Sequence, residues 1–221
     1  PSHPSPAGGA CHPQWLRQFA QMEHGAQDWL DQVVGHLPHP LLPDAPLKMA
    51  AEGSGLADLF NAVQLEVSGA QLSAASLAND VAGLPQVVRR RDLLIAYPYT
   101  NTLTVLRITG AVLRQAMERS AAYFTRGEEN TLRVSDCFLE PKVEHYNYDY
   151  YAGVSYAYDI SRPVGQRVVS LLVDGHPVAD TDDVGCPVVR EIPHEMSELL
   201  LEYFRRHGGD IPLAASDYRV C

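Results

Sequence analysis

Tyr97-Pro98-Tyr99 places two phenol rings on either side of a proline, with Asn101 two residues further on. Proline fixes φ and removes a backbone donor, so both rings sit on a stiff stretch of chain. A phenol offers a flat apolar face and a polar tip, and an asparagine amide both donates and accepts. Those residue types suit recognition of a flat, hydrogen-bonding heterocycle, and they suit a packed core equally well. A second concentration, HYNYDYYAGVSYAY at 145–158, carries Tyr146, Tyr148, Tyr150, Tyr151, Tyr156 and Tyr158. As a wall beside a ligand, each stacked ring is worth about 1–3 kcal/mol per base. Its partial alternation also suits a strand with aromatic cross-strand pairs, and core packing is the favoured reading of this stretch.

Other chemistry-bearing patterns are incomplete. His194-Glu195 opens HEMSE, where a zinc-binding helix needs a second histidine and this chain has Glu198. The nine histidines are scattered, with no pair at i, i+4. Cys11, Cys137, Cys186 and Cys221 are too widely spaced for a zinc site, and leave one disulfide or free buried thiols open. Gly53-Ser54-Gly55 lacks the flanks and the preceding strand of a nucleophile elbow. Neither a P-loop nor a GxGxxG motif is present. Arg89-Arg90-Arg91 is the one basic run, expected as a solvated turn rather than a phosphate site.

The elements that must position these groups follow from periodicity. Trp15, Phe19, Met22, Ala26, Trp29, Leu30 and Val33 form one stripe, which predicts a helix over 12–37 with Pro13 at its start. HLPHPLLPDAP, 36–46, is extended and bounds a 1–46 linker and helix from a 47–221 main body. GSGLADLFNAVQL predicts a second helix capped by Ser54, with Leu56, Leu59, Phe60 and Val63 inward. AQLSAASLAN, TLTVLRIT, SYAYDIS and QRVVSLLV read as strands, and Asp174-Gly175 as a hairpin turn. Thr109 caps a helix over 110–124 whose buried face is Val112, Leu113, Ala116, Met117, Ser120 and Phe124. Pro193 starts a last helix with Met196, Leu199, Leu200 and Tyr203 inward and Gly208 at its end. Interleaved helices and strands with an antiparallel hairpin give an α+β fold of layered helices and mixed or antiparallel sheets.

Composition bounds the partners. The 221 residues are 46% hydrophobic and 20% charged, and the formal net charge of −10 argues against a nucleic-acid surface. No apolar run is long enough for a membrane helix. PSHPSPAGGACHP reads as a linker and not as a signal peptide.

Five segments, in order, carry a resemblance: QDWLDQVVG (27–35), LADLFNAVQLEVSGAQLSAASLAN (56–79), YPYTNTLTVLRITGAVLRQAMERSAAYF (97–124), YNYDYYAGVSYAYDISRPVGQRVVSL (146–171) and PVVREIPHEMSELLLEYF (187–204). Each is loose, and the ordered set is specific. It resembles the C-terminal domain of the 5′-nucleotidase family, and within it the 2′,3′-cyclic-nucleotide 2′-phosphodiesterase/3′-nucleotidase branch. The resemblance implies an enzyme of two domains. An N-terminal metallophosphoesterase domain would hold two divalent metal ions and the catalytic residues, and the C-terminal domain would bind the nucleoside or nucleotide. The DxH and GNHE or GNHD motifs of the first domain are not in this chain, so no cofactor and no catalytic residue are expected here, and the chain alone should hydrolyse nothing.

On the same resemblance, Tyr99 matches the aromatic on one side of the base and Asn101 the asparagine beside it. The second aromatic belongs to a segment like NNYRxxGGGG, expected between Val184 and Gly185; here ADTDDV runs straight to GCPVVREI. We expect a mobile Gly-rich loop omitted from this sequence rather than one lost by the protein. Phe204 in YFRRHGGD imitates that segment but matches the family's final helix. LSAASLAN lacks the asparagine and arginine that 5′-nucleotidases carry there, which leaves Asn79 as the candidate sugar contact. Family members are mostly exported, so a periplasmic or cell-surface location is expected. The alternatives are a non-catalytic ligand- or protein-binding module that kept the fold, and a freestanding enzyme using its own His and Asp residues.

Overall fold

A computed structural model describes residues 13–184, 189–208, 211–213 and 215–221. The Val184–Gly185 junction, where the Gly-rich segment is expected, therefore adjoins residues outside those described. In chain order the elements are α1 (Pro13–Leu30), β1 (Val33–His36), α2 (Pro46–Glu52), α3 (Gly55–Ser68), β2 (Ser73–Ser76), β3 (Val87–Arg89), α4 (Arg90–Ala96), β4 (Thr102–Val105), α5 (Gly110–Ala121), β5 (Phe124–Arg126), β6 (Leu132–Val134), β7 (Asp149–Ala152), β8 (Ser155–Tyr158), β9 (Val168–Val173), β10 (His176–Pro177), β11 (Arg190–Glu195), α6 (Met196–Arg206) and β12 (Tyr218–Val220). Among the described residues the strands form one four-stranded sheet, β10-β9-β8-β12, and four antiparallel pairs: β1–β3, β2–β7, β4–β11 and β5–β6. β12 lies parallel to β8. The fold is α+β.

One apolar core joins these pieces. α3 buries Leu56, Leu59, Phe60 and Val63, and α6 buries Met196, Leu199, Leu200, Tyr203 and Phe204. Full burial of side chains of this size contributes about 1.5–3 kcal/mol each. Around β7 and β8 the core is aromatic. Tyr148, Tyr150, Tyr151, Tyr156 and Tyr158 are all buried, and Tyr156 stacks on Tyr218 at 4.9 Å and 7°. Burial holds the Tyr148 and Tyr158 hydroxyls well above the usual phenol range. Most of the tyrosine-rich stretch is thus core, packed on two strands, β7 and β8, that are buried on both faces.

Turns follow local chemistry. Asp174 and Gly175 both take positive φ, 50° and 77°, and close the β9–β10 hairpin. Gly153 turns β7 into β8 at φ 77°, and a Cβ there would collide with the Gln71 carbonyl oxygen. Thr109 caps α5, its Oγ1 accepting from Val112 N at 3.4 Å. Ser54 stands at the N-cap of α3 but its hydroxyl makes no capping bond.

Several readings from sequence are corrected. The first helix ends at Leu30, and Val33–His36 leave it to pair with Val87–Arg89. The last helix begins at Met196, because Pro193 belongs to β11. The register of β11 on β4 breaks between Ile192 and Glu195, and a bulge is where a strand tolerates proline. The arginine run is not a solvated turn but a tie between α1 and α4. Arg90 lies 4.2 Å over the Trp29 ring, Arg91 pairs with Asp31 at 2.8 Å, and Arg91 also donates to Gln27 at 2.8 Å. Cys137 and Cys221 are free and exposed rather than buried, and Cys11 and Cys186 lie outside the described residues.

Candidate ligand-binding site

The two tyrosines of the 97–101 connection part company. α4 ends at Ala96, and the chain bends at Tyr97 before it reaches β4. Tyr97 turns inward, edge-on to Phe60 at 5.2 Å and 85°. Tyr99 turns outward, 47% exposed, its ring edge-on to Tyr97 at 6.0 Å and 87°. Desolvation raises the Tyr97 hydroxyl, with the Asn101 side chain pulling it the other way. Tyr97 is thus a half-buried post and Tyr99 a free flat face carried on it.

Asn101 is exposed, and its carbonyl accepts from Met196 N at 3.0 Å, pinning the start of α6. Its side chain stands beside the Tyr97 hydroxyl and at the rim of a cavity of about 780 Å³. Neither Tyr99 nor Asn79 lines that cavity. Asn79 ties down a neighbouring loop instead. Its Nδ2 donates to the Val143 carbonyl at 2.9 Å, and its Oδ1 accepts from Tyr146 N at 3.3 Å. With both ends engaged, its amide acts first as a clamp on the 143–146 backbone.

That clamp shapes a patch that sequence reasoning did not assemble. Lys142 Nζ donates to the Tyr146 hydroxyl at 3.2 Å, and Tyr146 donates to Glu144 Oε1 at 3.1 Å. The Lys142 ammonium is raised, first by the Tyr146 hydroxyl and to a smaller degree by Glu144 and Tyr99. Lys142 is thus a cation whose charge is felt at Tyr99. Tyr146 was visible as one of the clustered tyrosines, but nothing marks Lys142 in the sequence, because its role depends on a fold that brings 142–146 back to Asn79.

Taken together, the surface offers one exposed ring, an amide at a cavity rim and an ammonium nearby. Such a set can stack a flat ring, read its polar edge and balance a negative charge. Among the described residues, no group of three or more His, Cys, Asp or Glu is placed to hold a metal ion. His194 and Glu198 approach at 3.4 Å, both exposed, one on β11 and the other on α6. Phe204 is fully buried in α6 and presents no face to a ligand.

The family model described as "5′-nucleotidase, C-terminal domain" matches residues 33–183. Among curated relatives, the 2′,3′-cyclic-nucleotide 2′-phosphodiesterase/3′-nucleotidase of Yersinia enterocolitica is 28% identical over 194 residues, covering 74% of this chain and 30% of that protein. The snake venom 5′-nucleotidase of Naja atra is 31% identical over 127 residues, covering 56% of this chain and 19% of that protein. Among solved structures, a Staphylococcus aureus protein described as a 5′-nucleotidase, in complex with α-ketoglutarate, superposes with a TM-score of 0.79 at 30% identity. That match covers 98% of this chain and 45% of the other. The 5′-nucleotidase precursor of Thermus thermophilus, at 15% identity and a TM-score of 0.68, shares the fold. The chain thus spans under half the length of each of these proteins.

Proposed function

We propose that this chain, which belongs to the 5′-nucleotidase C-terminal-domain family, is the nucleoside-recognition domain of a metal-dependent 2′,3′-cyclic-nucleotide phosphodiesterase/3′-nucleotidase. The observation that carries the reading is the exposed Tyr99 ring, held out from the core on Tyr97 at the family's aromatic position. A purine would lie on that face, with Asn101 at its edge. Asn79 would shape the sugar side by holding the 143–146 backbone. Lys142 would balance part of the nucleotide's charge.

Bond cleavage is assigned to a metallophosphoesterase domain outside these residues. Two divalent metal ions there would activate water and neutralise the phosphoryl oxygens. The residues described here do not fit such a centre. The share of each relative that this chain spans supports a larger parent protein. A periplasmic or cell-surface location is part of the same proposal. No helix described is long and apolar enough to cross a membrane.

Calorimetric titration of the chain with adenosine and 3′-AMP tests the reading. Binding that weakens on Tyr99→Ala and survives Tyr99→Phe is the expected result. Absence of binding to either ligand refutes it and leaves a non-catalytic module that kept the fold.

A further inference from the structure

Tyr97 carries a hydroxyl that its packing does not use. Its backbone N–H closes the last turn of α4 on the Leu93 carbonyl at 3.0 Å, and the chain bends there. Its ring is half-buried and lies edge-on to Phe60 at 5.2 Å and 85°, and Phe60 is itself buried. Its second aromatic neighbour is Tyr99, at 6.0 Å and 87°. These are contacts of the ring, and phenylalanine would make them equally well. Taking a hydroxyl out of water costs free energy unless a hydrogen bond compensates it, so the phenol oxygen needs a partner at this seat.

Asn101 is that partner. The 97–101 connection is anchored a second time there, where the Asn101 carbonyl accepts from Met196 N at 3.0 Å. That bond uses the main chain and leaves the amide side chain free to turn. The side chain stands beside the Tyr97 hydroxyl, and both residues border one cavity. Desolvation raises the phenol and Asn101 lowers it, which is the effect of an amide N–H directed at the phenol oxygen. An amide held by one N–H presents its remaining N–H and its oxygen in set directions.

One side chain thus reaches both groups that the nucleoside reading uses. The Tyr99 ring is 47% exposed, and among the described residues Tyr97 is the aromatic ring that it meets. A free ring and a free amide would each have to be ordered at the moment of binding. Groups held in advance avoid that cost.

We infer that Tyr97 is the positioning residue of this site, its ring setting the tilt of the Tyr99 face and its hydroxyl setting the direction in which Asn101 reads the edge of a base. The inference rests on the nucleoside reading for its ligand but not for its geometry. Tyr97 acts through its two neighbours and needs no contact with the ligand.

The test is a pair of double-mutant cycles on adenosine binding by the chain, read by calorimetry, with urea denaturation of each variant. Tyr97→Phe keeps both ring contacts and removes the hydroxyl. It raises the adenosine Kd about two- to twelvefold, the cost of ordering one side chain on binding, and it has no further effect in an Asn101→Ala background. Tyr97→Leu removes the aromatic edge as well, and its loss beyond that of Tyr97→Phe disappears in a Tyr99→Ala background. A residue with a merely structural role would add its full effect in both backgrounds. A ligand-free readout separates this inference from the nucleoside reading. In the ¹⁵N-labelled chain without ligand, the Asn101 side-chain amide protons exchange with water about threefold faster or more in Tyr97→Phe than in the parent, as loss of one hydrogen bond requires. If adenosine does not bind the parent chain, the nucleoside reading falls and this exchange rate decides whether Tyr97 orders Asn101. Additive losses in either cycle, or amide exchange at Asn101 that Tyr97→Phe leaves unchanged, overturn the inference.

Discussion

Replacing Tyr99 by alanine separates a ligand ledge from a packing residue, because the structure assigns different magnitudes to the two roles. The ring is 47% exposed and meets Tyr97 edge-on at 6.0 Å. Such an aromatic pair contributes about 0.5–1.5 kcal/mol beyond its buried area. With half the ring already in water, we expect Tyr99→Ala to cost about 1–2 kcal/mol of stability, well below the ~3–5 kcal/mol of truncating a fully buried aromatic. A domain of ordinary stability, about 5–15 kcal/mol, survives that loss. Binding should suffer more selectively. One lost stacked base is worth about 1–3 kcal/mol, which is about a 5- to 150-fold rise in Kd for adenosine. Calorimetry gives the Kd, and urea denaturation of the same variants gives the stability. Tyr99→Phe keeps the flat face and should stay within about threefold of the parent, since a conservative ring swap leaves the stacking area in place. An adenosine Kd that Tyr99→Ala leaves unchanged while the stability falls would mean the ring only packs, and the ledge argument would be wrong.

Other outcomes follow from the same geometry. Asn79→Ala removes two bonds to the 143–146 backbone; at about 1 kcal/mol each we expect ~1–2 kcal/mol of destabilisation by urea titration, with Asn79→Asp recovering only the accepting half. Asp149 is held above the ordinary carboxylate value of 3.8 mainly by burial. Its native form therefore binds a proton more tightly than the unfolded chain, and its contribution to stability falls as pH rises through 3.8 toward the raised value. Asp149→Asn should gain stability relative to the parent as pH climbs from 3.5 to 7, a difference that denaturation at stepped pH will show as flat if burial is not the cause. Arg167 is buried, with Nη1 on the Ala121 and Phe124 carbonyls and Nε on the Arg162 carbonyl. Arg167→Ala should cost about 3 kcal/mol or more, because the carbonyls lose charge-assisted donors, and thermal melting reads it. With Mn²⁺ and a 2′,3′-cyclic nucleotide, the chain alone should give no turnover in a phosphate or product assay; turnover would revive the freestanding-enzyme reading.

Much of the fold was legible because local rules and tertiary packing agree. α3, β9 and the Asp174–Gly175 turn lie where periodicity and turn chemistry put them, while α5, read over 110–124, ends at Ala121 and leaves Phe124 to β5 and Val112 and Ala116 exposed. The failures sit where tertiary pairing overrides a local pattern. Val33 continues the spacing of Trp29 and Leu30, so α1 seems to extend through 37, but pairing with Val87–Arg89 draws Val33–His36 into a strand. Pro193 looks like a helix start until the bulge on β4 supplies it a place in a strand. β5, β6 and β12 are three residues each, too short for any period to show.

The site was harder, because tyrosine is the residue both of this core and of this surface. The stretch with the most rings is the buried one, and the single ring left free belongs to the sparser Tyr-Pro-Tyr. Density of aromatics therefore points the wrong way here. What separates the two is the neighbour each ring meets. Phe60, on the buried face of α3, claims Tyr97. A regular extended chain would put Tyr99 on the same side as Tyr97, and it is the bend at Tyr97 that leaves the Tyr99 ring 47% exposed. The sequence contains the Phe60 face of α3 and the stiff Tyr-Pro-Tyr stretch. It omits the contact that says which of the two tyrosines Phe60 takes. Val112 shows the same limit in reverse, since its spacing predicts burial and the structure leaves it 48% exposed.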